Sequence, residues 1–389
     1  MVKTPVYLDY NATTPCDERV VEVMLPFFNR QFGNPASHSH IFGWEADESV
    51  KYAREQVARL IAADPTEIVF TSGATEADNL ALKGIFETYS GKGNHIITCS
   101  IEHKAVLDAC GHLEKLGAEV TYLGVNERGR IDLNELEKSF RKTTILVAIM
   151  YANNEIGTIM PVKEISAIAK SRGVLFFTDA TQAVGKIPVN VSEDGLDLMA
   201  FSAHKLYGPK GIGALYVRRK APRVKLTAQI DGGGHERGMR SGTLNVPAIA
   251  GFGKACEICR EEMAKESRRI SNLRDELELA LLTLENSFVN GERDHRLPNV
   301  SNIRFGGSDS ETLMRELSRD IAVSSGSACM SATLEPSYVL KALGLTDELA
   351  RSSLRFSLGR YTTAEEIQFA VTQFRTAANR LREMRSTIE

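Results

Sequence analysis

Between residues 68 and 217, short apolar runs alternate with stretches of helical spacing. The runs are 68–71, 96–99, 120–123, 145–150, 174–178, 196–201 and 214–217. A helix opens near Thr75, with Glu76 and Asp78 in its first turn, and others span 104–116, 132–140 and 161–171. Apolar strands alternating with amphipathic helices leave few arrangements open. Both faces of the strands must be covered, which predicts an α/β fold with a mainly parallel sheet. In such sheets ligands bind outside the carboxyl ends of the strands. The polar residues that follow each run are therefore the candidate site residues.

The flanks add two units. Thr14-Pro15-Cys16-Asp17 reads as a helix start, with Thr14 at the cap and proline at the first position. Val21, Met24, Leu25 and Phe28 continue it at helical spacing, and Gly33-Asn34-Pro35 stops it. A second helix covers 44–61. Composition shifts after Gly253, where 257–284 reads as a long, charged, amphipathic helix. Beyond it, strands at 300–305, 321–323 and 354–357 mix with helices at 310–317 and 338–343, and a last helix opens at the capping box Thr363-Ala364-Glu365-Glu366. The expected division is a large domain of residues 15–255 and a small α+β domain of residues 1–14 plus 256–389.

Charge and cysteine usage narrow the class. The net charge of −3 offers no basic surface for nucleic acid or an anionic membrane. No run approaches the roughly 20 apolar residues of a membrane span, and the first residues lack a signal-peptide core. A cytoplasmic protein is expected, with its six cysteines as free thiols. Cys256 and Cys259 form a C-x-x-C within a helix-like stretch, 249–264, and no second pair stands at zinc spacing.

Five polar clusters follow strands. Thr71-Ser72-Gly73-Ala74-Thr75-Glu76 suits a phosphate at a helix N-terminus, although a plain cap has the same pattern. Glu102-His103 and Asn153-Asn154-Glu155 each admit a structural role as readily as a binding one. Asp179-Ala180-Thr181-Gln182 places an acid at a buried strand end, costly without a cation or donor. Ser202-Ala203-His204-Lys205 places a lysine before a glycine-rich turn. Together they offer a phosphate cradle, an acid and an amine around one rim. Pyridoxal phosphate needs that set: a lysine for its carbonyl and an acid for its ring nitrogen.

The ordered motifs resemble the cysteine desulfurases of the NifS/IscS group, class V aminotransferases of the pyridoxal-phosphate fold type I. They are Phe32-Gly33-Asn34-Pro35-Ala36, Phe70 to Glu76, Glu102 to Val106, Asn153 to Gly157, Asp179 to Gln182, His204 to Gly211, Gly232 to Thr243 and Ser324-Ser325-Gly326-Ser327-Ala328-Cys329. The resemblance implies a seven-stranded-type sheet in the large domain. It implies that Lys205 carries the cofactor, Asp179 pairs with its ring nitrogen, Gln182 bonds its ring hydroxyl and His103 stacks on it. Ala74, Thr75, Ser202 and His204 would hold the phosphate, with Thr243 reaching in from a second subunit of a homodimer, and Ala203 and Asn154 would also bind the cofactor. Asn154, Arg355 and Asn34 would bind the substrate, L-cysteine. Cys329 would take the sulfur as a persulfide, with L-alanine as the other product, and pass it on for iron–sulfur cluster assembly. The acceptor would be a protein such as an IscU-type scaffold. No metal of the chain's own is implied, only a cluster that Cys329 shares transiently with a scaffold.

Three features depart from the group's pattern. His38 stands where arginine is usual, Met330 follows Cys329 where Thr or Ser is usual, and the sequence ends at Glu389 short of the group's longer tail. Two other readings stay open: a selenocysteine lyase or other β-eliminating enzyme of the same fold, and a non-catalytic scaffold for sulfur acceptors.

Overall fold

The structure is a computed structural model that describes residues 2–307, 309–325 and 335–386. Its centre is a seven-stranded sheet in the order Ile68–Thr71, Gly213–Val217, Leu198–Ser202, Leu175–Asp179, Thr144–Ala148, His95–Cys99, Glu119–Leu123. Six strands run parallel, and Gly213–Val217 is antiparallel to both neighbours. Its reversal follows from the connection before it. Only residues 203–212 separate it from Leu198–Ser202, and these form a 3-10 turn and a glycine-rich loop. A parallel return needs a crossover of a dozen or more residues, usually with a helix. The parallel strands therefore deliver Thr71, Cys99, Ala148, Asp179 and Ser202 to one rim, where Gly213 enters.

Two apolar clusters cover this sheet. One joins Phe70, Val147, Phe176 and Phe201 to Val50, Val57 and Phe252 from helices Ile41–Leu60 and Val246–Leu281. The other packs Val69, Ile96, Leu146 and Leu215 against Leu80, Ile85, Val106 and Leu113. A third cluster lies apart, formed by Val6, Leu8, Ile270, Leu277, Ile303, Phe305, Leu354, Phe356 and Phe374. It coats a three-stranded antiparallel sheet, Ser353–Ser357, Val300–Phe305, Ser287–Val289. Val6–Tyr7 pairs in parallel with Ile321–Ala322 beside it.

Several boundaries differ from expectation. Thr14 does not cap the first helix: Asp17 does, accepting the Arg19 N–H, and the helix is Glu18–Met24. Thr14 Oγ1 instead donates to the His204 carbonyl and accepts the Tyr207 N–H. The second helix starts earlier, at Ile41, because His40 Nδ1 accepts from Gly43 N. The helix-like stretch 249–264 and the run 257–284 form one helix, which begins at Val246 with Asn245 as cap and Pro247 in its first turn. The stretch 246–256 is mostly buried, so it lacks the polar face that marks an amphipathic helix. Helix Asp347–Arg351 and strands Val6–Tyr7 and Ser287–Val289 were not expected at all. Among the described residues, no helix is long and apolar enough to cross a membrane.

Where Gly213 enters the rim, it packs directly on the turn that starts helix Ala74–Tyr89. A Cβ there would lie 2.7 Å from Gly73 Cα and 2.7 Å from Gly73 C, both backbone atoms. Gly213→Ala should therefore destabilise the protein by about 1–3 kcal/mol, read as a lower midpoint in urea or heat. An unchanged midpoint would mean that the turn and strand can separate without cost.

Candidate active site

At the rim lies a cavity of about 580 Å³. Its floor is the end of the parallel sheet. Asp179, the last residue of Leu175–Asp179, lines it, and one carboxylate oxygen accepts the Thr181 N–H at 2.9 Å. Gln182, Ser202, His204 and Lys205 line it from the following turns. Ala74 and Thr75 enter from the first turn of Ala74–Tyr89, a helix whose N-cap, Gly73, provides no side-chain bond. His103, Asn154 and Arg355 complete the wall. These ten expected residues are brought together.

Three others are not. Ala203 is buried behind the wall, its N–H donating to Ile212 O at 3.2 Å. Asn34 and Thr243 are exposed and lie outside the lining of this cavity. Asn34 instead accepts from the Ala36 N–H. Cys329 lies outside the described residues. The strand that leads toward it is anchored at the site, because Ser324 exchanges two backbone hydrogen bonds with Arg355, at 3.3 and 2.7 Å.

The amine of Lys205 is aimed at backbone. Its Nζ donates to the carbonyls of Asn11 at 2.5 Å and Ala12 at 2.6 Å. Gln182 Nε2 donates to the same Asn11 carbonyl at 3.0 Å. Lys186 fixes the Gln182 amide, donating to its Oε1 at 2.5 Å and to Asn11 Oδ1 at 3.2 Å. An amine in contact with both oxygens leaves the N–H edge of Gln182 for the Asn11 side and the cavity. Burial, with the charges of Lys205 and Arg355, pushes the Lys186 ammonium well below its ordinary range.

Other side chains tune the polar wall. His103 caps helix Lys104–Glu114, and its Nδ1 accepts the Ala105 N–H at 3.2 Å, so a neutral ring carries its proton on Nε2. Burial, then Lys205, Lys210 and Lys186, lowers the His204 pKa to about 4, leaving a neutral imidazole beside Thr13 Oγ1 at neutral pH. Asp78 and Glu102 are fully buried near Asp179. Burial, then the charges of Asp179 and Glu102, raises the Asp78 pKa well above the carboxylate range; burial and the Asp179 charge do the same for Glu102 against the lowering effect of the Met150 N–H, and both protonated forms are favoured.

Sequence reasoning missed Asn11, Ala12, Thr13 and Asp78 in the wall. The first three precede the first element that the sequence predicts, so no predicted strand end marked them. Asp78 reads as an ordinary first-turn acid, and only its burial sets it apart.

The cavity suits pyridoxal phosphate. Its donor set grades from a helix N-terminus with Ser202, His204 and Lys210, through an acid and an amine, to the Arg355 guanidinium. Buried polar atoms without partners line the same space: both Asp78 oxygens, Asn154 Oδ1, Thr181 Oγ1 and Arg355 Nε. Unmet buried groups are rare and mark a place for a polar ligand.

The model of the family Aminotransferase class-V matches residues 6–369. The chain is 59% identical over 385 residues to a protein named Cysteine desulfurase IscS from Histophilus somni, covering 98% of this chain and 95% of that one. It is 57% identical, with the same coverage, to the protein of that name from Proteus mirabilis. Among solved structures, it resembles a NifS-like protein with a TM-score of 0.89 at 39% identity, over 97% of this chain and 99% of that one. It also resembles SspA in complex with cysteine, with a TM-score of 0.80 at 38% identity, over 92% and 100% of the two chains.

Glu155, adjacent to Asn154, supplies a test of the site's electrostatics. It is buried, accepts the Ser337 hydroxyl at 2.6 Å, and has its pKa raised to about 7 by burial, against the lowering effects of Ser337, Arg355 and His103. The folded state thus holds a proton that the unfolded state releases between about pH 4.5 and 7. The stability from this group is present below that window and lost as pH rises through it. Glu155→Gln should gain on the wild type by up to about 3 kcal/mol between pH 4.5 and 8, measured by urea unfolding at each pH. A constant difference between the two proteins would refute the assignment.

Proposed function

The chain belongs to the aminotransferase class-V family and is a pyridoxal-phosphate-dependent cysteine desulfurase, and we propose that Lys205, Asp179, Gln182, His103, Arg355 and Cys329 run its reaction. The observation that carries the assignment is the convergence of the first five on one cavity. When bound, the cofactor supplies a carbonyl for the substrate amine and a ring that withdraws electrons from the substrate carbon. Asp179 would pair with its ring nitrogen and Gln182, through the N–H edge set by Lys186, with its ring hydroxyl. The N-terminus of Ala74–Tyr89, Ser202 and His204 would hold its phosphate.

Lys205 is both anchor and base. Its amine donates to two backbone carbonyls, which hold it at the cavity wall. Released, it takes the proton from the α-carbon of L-cysteine. Arg355 and Asn154 orient the substrate carboxylate, the guanidinium supplying a planar fork. His103, with its Nε2–H, moves protons on the other side.

Cys329 takes the sulfur. Its thiolate attacks the substrate Sγ, a sulfur–sulfur bond forms, the substrate Cβ–Sγ bond breaks, and L-alanine leaves after protonation. Burial pushes up the thiol pKa of each described cysteine, Cys16, Cys99, Cys110, Cys256 and Cys259, so none of these is a poised thiolate. The Ser324–Arg355 pairing roots the segment bearing Cys329 at the substrate carboxylate. The persulfide then serves iron–sulfur cluster assembly, with an IscU-type scaffold as acceptor.

We read residues 15–255 as the large domain and residues 1–14 plus 256–389 as the small one. The separate third core, which joins Val6 and Leu8 to residues beyond Ile270, supports this division. We also read the protein as a homodimer. Leu25, Phe28, Phe32, Ile41, Phe42 and Trp44 are all exposed on the N-terminal helices and the loop between them. A patch of this kind marks an interface, and the exposed Thr243 is available to a partner's cavity.

Two outcomes test the scheme. Cys329→Ala should keep a yellow, cofactor-loaded protein whose spectrum still responds to L-cysteine, yet form no persulfide. Release of sulfide at the wild-type rate would remove Cys329 from the mechanism. Phe42→Asp combined with Trp44→Asp should shift the protein from dimer to monomer in light scattering and weaken cofactor retention. A wild type that is already monomeric would end the shared-site reading.

A further inference from the structure

The Arg355 guanidinium is already partly engaged. Its Nη2 donates to Asp9 Oδ1 at 2.7 Å, and its Nη1 donates to the Asn154 carbonyl at 3.1 Å. The Arg355 side chain is 4% exposed and that of Asp9 is 19% exposed. Its Nε is buried and has no partner. A guanidinium has five N–H donors, so two are used and three remain. The group can therefore hold a second carboxylate without releasing the first.

Two carboxylates on one buried guanidinium repel each other, and one positive charge cannot neutralise both. At a separation of about 5 Å, and with the reduced screening of a partly buried site, this repulsion is large enough to alter affinity several-fold. Asp9 is also held in place by backbone. It bridges Ser357 of the small core, and its carbonyl accepts the Tyr7 hydroxyl at 3.0 Å. Its backbone is therefore fixed beside Arg355, and its carboxylate could leave only by side-chain rotation that gives up the contact with Nη2.

We propose that Asp9 is a positioning residue that holds one edge of Arg355 and keeps the site's grip on an amino-acid carboxylate loose. A loose grip suits an enzyme whose substrate and product, cysteine and alanine, carry the same carboxylate, because it lets the product leave. The proposal rests on Arg355 as the carboxylate partner, and its test separates the two claims.

The test uses cofactor-loaded protein titrated with L-alanine and with L-alaninamide, which lacks the carboxylate, and reads the change in cofactor absorbance. Asp9→Asn keeps the shape and an oxygen for Arg355 Nη2, so the guanidinium stays in place. It should tighten L-alanine about five- to tenfold and leave L-alaninamide unchanged. Asp9→Glu, which retains the charge, should bind L-alanine within about twofold of the wild type. General damage to the fold would weaken both ligands, so a selective gain has no structural explanation. L-Alanine binding that is unchanged or weaker in Asp9→Asn overturns the proposal. If Arg355→Gln binds L-alanine as the wild type does, Arg355 itself is not the carboxylate partner.

Discussion

The backbone and side chain of Asn11 tie the site together. Its N–H donates to Ser357 Oγ at 2.9 Å and its Nδ2 donates to the Asn154 carbonyl at 2.9 Å. Its carbonyl accepts from Lys205 and Gln182, and its Oδ1 accepts from Lys186 and Asn299. Ser357 and Asn299 belong to the segment beyond residue 255, and the other partners belong to the large sheet and its loops. One buried residue thus sets the spacing between the amine, the amide and the strand that carries Arg355. The Lys205 and Gln182 bonds share its carbonyl and the Lys186 and Asn299 bonds share its Oδ1, so the members of each pair are satisfied or strained together.

Much of this arrangement was legible beforehand. Each strand of the large sheet matched an apolar run, and for all but the partly exposed edge strand Glu119–Leu123 the reason is that a strand covered on both faces has few polar positions to blur it. Asp179, Ser202 and Lys205 could be placed because they stand at or just after the ends of such runs. The same reasoning could not find Asn11. It lies in an irregular segment, and its importance comes from partners up to 346 residues away. Nor could it find Asp9 or Lys186, which read as ordinary surface charges until their neighbours are known. The long helix reads in the sequence as two overlapping stretches, 249–264 and 257–284, because its largely buried first part lacks the polar face of the charged second part.

Strand direction explains why so few residues suffice. Six parallel strands bring their carboxyl ends to one side, and the single reversed strand brings Gly213 there. The absence of a side chain at Gly213 allows the turn at Gly73 to lie flat on the sheet. The Gly73 end of the cavity thus combines main chain at a helix start with Ser202, His204 and Lys210, while the opposite end is set by Arg355 and Asn154. Changes at the Arg355 end can therefore alter that wall without disturbing how the Gly73 turn meets the sheet.

The helix Val246–Leu281 has a mechanical consequence. At 1.5 Å per residue its 36 residues extend about 54 Å. Its first half is packed in the core of the large sheet through Ile249, Phe252 and Ile258, and its second half in the other core through Ile270, Leu273 and Leu281. One rod embedded in two cores couples their melting, so the two halves should lose structure in a single cooperative transition. It also restricts relative motion of the halves to bending of the rod, which stiffens the frame on which Arg355 is mounted.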